Sequence, residues 1–314
     1  MRWFSNSNLF DLARRGQRLT HIALVIPLAL AIPILSQFGA IPVFAVMFLR
    51  FGSLAAVFDM QGLSALQAGF WMSAQLISSF ILIYILLWLW LYLFEKRPFW
   101  TMGYEIKNAA TQYARGFIFG AILFAGAVGL LALLRSLTIE HGDPSLQGFP
   151  ALGGVTLVLF GWIVQGGAEE LLMRGWVLPI IGARTRPWIG LLVSSTLFSL
   201  LHLLNPNLSG IAMLNLILFG VFAGLYALRE GSLWGISALH SVWNWVQGNF
   251  FGLEVSGTNA SGGTVFNLME NGADWLTGGA FGPEGGLAVT AVLAIGTAFI
   301  LFWPVKNGDE ADIH

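Results

Sequence analysis

Long apolar runs separated by short polar stretches set the pattern of this chain. A membrane-crossing helix needs about 20 apolar residues. That rule predicts eight spans, near residues 20–49, 70–94, 114–135, 150–181, 188–204, 210–228, 232–250 and 286–303. The first is over-long and holds Pro27, Pro33 and Pro42, which predicts a kink or a partly re-entrant helix. The expected fold is therefore all-α and polytopic. A basic amphipathic segment occupies 1–18, one transmembrane domain covers 19–304, and a short tail follows at 305–314.

Composition agrees with this pattern and removes several classes. Hydrophobic residues make up 56% of the chain and charged residues 10%, with a mean hydropathy of +0.75. Soluble domains carry roughly 25% charged residues. The net charge of -1 offers no basic face for nucleic acid. With no cysteine, disulfides, thiolate metal sites and a Cys nucleophile are excluded.

Charge also predicts orientation. Cytoplasmic loops are enriched in Lys and Arg. Of the fifteen Lys and Arg, twelve fall on one side (Arg2, Arg14, Arg15, Arg18, Lys96, Arg97, Lys107, Arg115, Arg184, Arg186, Arg229 and Lys306). Arg50 and Arg135 fall on the other, and Arg174 lies within a span. Both termini are expected in the cytoplasm, with the protein integral to the cell membrane, a prokaryotic cytoplasmic membrane by expectation. The outer loops are acidic where charged, at Asp59, Glu140, Asp143, Glu254, Glu270, Asp274 and Glu284. The longest, 251–285, is Gly-rich and reads either as a flexible outer loop or as a flap whose glycines let backbone approach other helices.

The fourth span contains the chain's exception, Gln165-Gly-Gly-Ala-Glu-Glu-Leu-Leu-Met-Arg-Gly175. Charge in hydrocarbon costs several kcal/mol, so a Glu-Glu pair there needs a task. Glu170 and Arg174 are four apart, in the better order for an intrahelical ion pair. Glu169 points about 100° away and lacks that partner. A carboxyl in apolar surroundings beside another carboxyl is more basic than a free one, which suits a general base. Two further polar sets follow, Phe198-Ser-Leu-Leu-His202 and His240-Ser-Val-Trp-Asn244. Glu169 and His202 each lie about 16 residues, roughly 25 Å, from the turn Arg184-Thr-Arg-Pro187, so they share a depth. His240 and Asn244 share one helix face at a similar level.

A Glu beside a His can hold and deprotonate a water, while a second His and an amide donor stabilise an oxyanion. That set suits peptide-bond hydrolysis without a covalent intermediate. No Ser lies in a nucleophile-elbow context and no Asp lies within these spans, which argues against a Ser-His-Asp triad. A metal reading uses Glu169, His202 and His240 as a zinc set with water at the open position. The sequence leaves both readings open.

The three motifs resemble those of the CPBP family of intramembrane proteases, which includes the type II CAAX prenyl endopeptidases and bacteriocin-processing or immunity proteins. The Glu-Glu-x-x-x-Arg motif reads Glu169-Glu170-Leu-Leu-Met-Arg174, the Phe-x-x-x-His motif Phe198–His202, and the His-x-x-x-Asn motif His240–Asn244. Arg97-Pro-Phe-Trp-Thr-Met-Gly103 also looks like a family feature, so the resemblance covers about 95–250. It implies a helical fold with a membrane-embedded conical cavity. It further implies Glu169 as the water-activating base with His202 as partner, His240 and Asn244 as the oxyanion site, and Glu170 and Arg174 as structural support, with Phe198 as the aromatic of the second motif. The expected substrate is a membrane-associated protein or peptide. Two other classes stay open: a non-enzymatic immunity or chaperone-like protein, and an ion-coupled carrier, which the lack of an internal repeat disfavours.

Overall fold

The computed structural model describes residues 2–53, 57, 60 and 62–302. Asp59, Lys306 and the expected tail at 305–314 lie outside them. Among the described residues, five helical segments are long and apolar enough to cross a membrane: Ile22–Phe51, Ala65–Glu95, Ala109–Leu133, Phe149–Arg184 and Gly210–Glu230. The other three expected spans appear as shorter helices, Pro187–Leu201, Trp234–Trp245 and Leu287–Phe302. At 1.5 Å per residue, a 15-residue helix such as Pro187–Leu201 spans about 23 Å, short of a hydrocarbon core of about 30 Å. Membrane crossing is thus supported by length for five of the eight.

Local sequence explains where these elements start and stop. Ile22–Ser36 carries Pro27 and Pro33 internally, and a 3-10 turn at Gln37–Ala40 separates it from Ile41–Phe51. The expected kink is this interruption. Ser64 and Gln67 form a capping box that opens Ala65–Trp90. Gly231, at φ 65°, ends Gly210–Glu230 in a left-handed cap. The N-terminal helix Asn8–Arg14 buries Leu9, Phe10, Leu12 and Ala13 while Asp11 and Arg14 stay exposed, the amphipathic pattern expected of 1–18.

The helices that matter for function cross at glycines. Ala65–Trp90 packs along Leu152–Glu170, with Gly69 against the Gly154 backbone. Trp234–Trp245 lies between Ala109–Leu133 and Leu152–Glu170 and is buried at ten of its twelve positions. A Cβ on Gly166 would fall 2.8 Å from Ser241 N, so only glycine lets these two backbones approach this closely. That approach brings His240 and Asn244 against the Glu-Glu helix.

The long Gly-rich loop 251–285 is shaped rather than open. Leu268–Glu270 pairs antiparallel with Leu137–Ile139, in register Leu137↔Glu270, a small two-stranded ribbon in an otherwise helical chain. Gly262, at φ 101°, comes down onto Gly69, where a Cβ would meet Gly69 Cα at 2.9 Å. This matches the flap reading of the glycines, in which backbone approaches a helix. The loop therefore forms one wall of the interior.

Candidate active site

Three helices and one helix end supply the site. Leu152–Glu170 carries Gln165, Glu169 and Glu170 and passes directly into a π-helical stretch, Leu171–Val177, that carries Arg174. Such wide turns recur at functional positions because they redirect side chains without ending the helix. Pro187–Leu201 carries Phe198 and ends at His202. Trp234–Trp245 carries His240 and Asn244.

Glu170 is fully buried, and its Oε1 accepts from Arg174 Nη1 at 3.0 Å and from His240 Nδ1 at 2.7 Å. Arg174 Nη2 donates to Gly220 O at 3.2 Å, and its guanidinium lies 4.7 Å from the centre of the Phe198 ring. Phe198 also contacts both imidazoles, with ring centres 4.8 Å from His202 and 5.9 Å from His240. An aromatic is needed there because a single flat ring faces a cation on one side and packs against both histidines.

Glu169 is placed differently. Its Oε1 accepts from Gln165 Nε2 at 2.8 Å. Its Oε2 has no hydrogen-bond partner and lies 3.6 Å from His240 Nε2, too far for a direct hydrogen bond. The side chain remains 17% exposed, toward a cavity of about 430 Å³. Because Nδ1 of His240 is committed to Glu170, Nε2 is the atom it presents beside Glu169. Asn244 Nδ2 donates to Gln165 Oε1 at 2.9 Å, so Gln165 joins the Glu169 carboxylate to the Asn244 amide.

Glu169, His202, His240 and Asn244 all line this cavity, with Gln165 and Phe198. His202 Nδ1 bonds to Phe198 O at 2.8 Å, which fixes the ring and leaves Nε2 for the cavity. Glu169 makes its close imidazole contact with His240; among the described residues no ion-pair contact joins it to His202. Nor, among the described residues, do three His, Cys, Asp or Glu side chains converge as metal ligands, so Glu169, His202 and His240 do not form the expected zinc set.

Sequence reasoning gave no role to Gln165 or to Ser256 and Glu284 of loop 251–285, which line the same cavity. The one sequence signal for Gln165 is its i-4 position relative to Glu169, on the same helix face.

The segment that carries all three motifs is also where a comparison with known families finds a match. Residues 151–246 match the family described as Rce1-like, type II CAAX prenyl endopeptidase. The three motifs that carry the resemblance to CAAX proteases all fall within that matched segment, and the long apolar helices suit a membrane protein. No curated protein and no solved structure matches the chain.

Proposed function

We propose that this protein is an intramembrane endopeptidase that hydrolyses a peptide bond of a membrane-associated protein or peptide with an activated water. The observation that carries this reading is Glu169: one oxygen pinned by Gln165, the other bare and 3.6 Å from His240 Nε2 at the cavity wall. Stabilising a carboxylate in this way and leaving half of it unpaired makes sense if a water completes the set.

In the proposed step Glu169 Oε2 takes a proton from a water, whose oxygen attacks the peptide carbonyl carbon. His240, as an imidazolium whose Nδ1–H bonds Glu170, donates its Nε2–H, and together with the second N–H of Asn244 it stabilises the oxyanion that forms. The C–N bond then breaks, and Glu169 returns the proton to the leaving amine. His202, fixed across the cavity by Phe198 O, is the second imidazole facing the water. Glu170 orients the ring of His240 and supports its protonated form, and Arg174 braces Glu170.

All eight helices cross the bilayer in this proposal, with both termini in the cytoplasm of a prokaryotic cell. On that orientation the site lies in the outer half of the membrane, beneath loop 251–285. Cleavage of a membrane-peptide reporter in liposomes tests the reading. Wild type should cleave and Glu169→Gln should not, with both equally folded. Undiminished cleavage by Glu169→Gln would overturn it.

A further inference from the structure

The cavity holds a second carboxylate that this chemistry does not use. Glu284 lines it from the outer-loop wall, with Ser256 and Thr258. Its Oε1 accepts from Trp243 Nε1 at 3.2 Å, and its Oε2 from Ser256 N at 2.9 Å and Ser256 Oγ at 2.7 Å. Ser256 holds φ 48°, a left-handed conformation that residues with a Cβ rarely adopt. It is kept there by a tight turn, Val255 N donating to Thr258 O at 2.8 Å, and by Asn205 Nδ2 donating to Ser256 O at 2.9 Å. Strained backbone at a cavity wall is a mark of function, and here it aims an N–H and an O–H at one carboxylate.

Every donor to Glu284 is neutral. Among the described residues no Lys, Arg or His forms an ion pair with it. Neutral donors fix the direction of a carboxylate but leave its charge uncancelled. A carboxylate has about four acceptor positions, and three are taken, which leaves room for one further N–H donor. Most of the cavity lining is apolar, and its other titratable side chains are Glu169, His202 and His240, so low-dielectric walls focus the Glu284 charge on whatever enters.

We propose that Glu284 is a specificity-determining residue that receives a cationic group of the peptide substrate, the ammonium of Lys or the guanidinium of Arg. The proposal rests on the reading of the cavity as a peptide-hydrolysing site and adds the class of peptide it selects.

The test uses the full chain in liposomes and alanine-leucine peptides bearing one Lys, Met or Glu at each position in turn. Binding is measured to Glu169→Gln, whose cavity is intact, and cleavage of the same peptides by wild type. At one position the Lys peptide should bind at least about tenfold tighter than its Met counterpart. That ratio should fall to near one when Glu284→Gln is added and reverse in favour of the Glu peptide with Glu284→Lys. Gln keeps one acceptor oxygen, enough for the two Ser256 donors, and gives up the Trp243 bond, so the unfolding temperature of Glu284→Gln is read alongside to check that the loop stays in place. Equal or absent binding of the three peptides, or a ratio unchanged by Glu284→Gln, would make Glu284 a loop latch only and overturn the proposal. Cleavage without charge ranking would overturn this subsite and leave the hydrolysis reading standing. Charge-selective binding without any cleavage would do the reverse.

Discussion

Two clusters of ionised side chains are buried in this protein, and they are built to opposite rules. At the end of Ala65–Glu95, Glu95 and Arg97 are both fully buried and 2.6 Å apart. Glu95 also accepts from Thr20 Oγ1 at 2.5 Å and Trp176 Nε1 at 3.0 Å. Arg97 donates onward to Thr101 O at 3.1 Å and Oγ1 at 3.2 Å. Neither residue has a buried polar atom without a partner. Around Glu169 and Glu170 the same kinds of group are left incomplete: Glu169 Oε2, Glu170 Oε2 and Arg174 Nε are all buried and unpartnered. The first cluster ties Thr20, Trp176 and the loop after Glu95 into one knot. The second places one of its carboxylates, Glu169, at the wall of a cavity. Burial and charge are common to both clusters; what separates them is the cavity that Glu169 and His240 line.

Mutation should split the two clusters. The largest effect expected is on rate: Glu169→Gln should lower cleavage by about 10²–10⁴-fold, the usual worth of a general base, with little change in unfolding temperature. Glu95→Ala should do the opposite. It leaves Arg97 charged and buried without its partner, a loss of about 3–5 kcal/mol of stability. The surviving folded fraction should keep its turnover per molecule.

A smaller effect sharpens the contrast. Gln165→Ala removes both the bond that aims Glu169 and the acceptor that aims Asn244. Turnover should fall about ten- to a hundredfold with KM little changed, because positioning is lost and not the base itself. If KM rises while turnover holds, Gln165 contacts substrate instead.

The smallest effect concerns loop 251–285. Glu270 has its carboxyl pushed up to about 8, chiefly by burial and then by the neighbouring charge of Glu254. The folded loop thus favours the neutral acid. Its contribution is fully present below the ordinary value of 4.5 and is lost as pH rises toward about 8. Hydrogen exchange of the Leu137–Ile139 and Leu268–Glu270 ribbon should quicken across that window beyond its intrinsic pH dependence. Glu270→Gln should abolish the excess.

How much of this could be read from residues alone depended on spacing. Glu170 and Arg174 are one helical turn apart, and the structure pairs them. Depth measured from the Arg184–Pro187 turn anticipated that Glu169 and His202 would share a cavity, because a hairpin of two helices preserves depth. The partner of Glu169 was another matter. Helix rotation, set partly by the π stretch at Leu171–Val177, turns its carboxylate toward His240, and no spacing rule contains that rotation. The Glu95–Arg97 knot was illegible for a similar reason. Two residues apart is no helical neighbour, and the pair forms only because Lys96, at φ 55°, reverses the chain. Gln165 went unassigned because a neutral amide raises little alarm among apolar residues. Glu284 reaches Ser256 and Trp243 across 28 and 41 residues, through a loop whose glycines encode no fixed path. The count of eight spans came from hydropathy, which registers apolar length and not the helix end at Leu201.

One experiment bears most directly on the claim that the incomplete cluster performs chemistry while the complete one holds the fold. Glu169→Gln and Glu95→Gln are reconstituted side by side, and cleavage of a membrane-peptide reporter and thermal unfolding are read on the same liposomes. The account predicts a crossed outcome: Glu169→Gln folded and inactive, Glu95→Gln destabilised but active while folded. If Glu169→Gln cleaves like wild type, or loses activity only in step with its stability, the Glu169 cluster is a second structural knot and the protease reading fails.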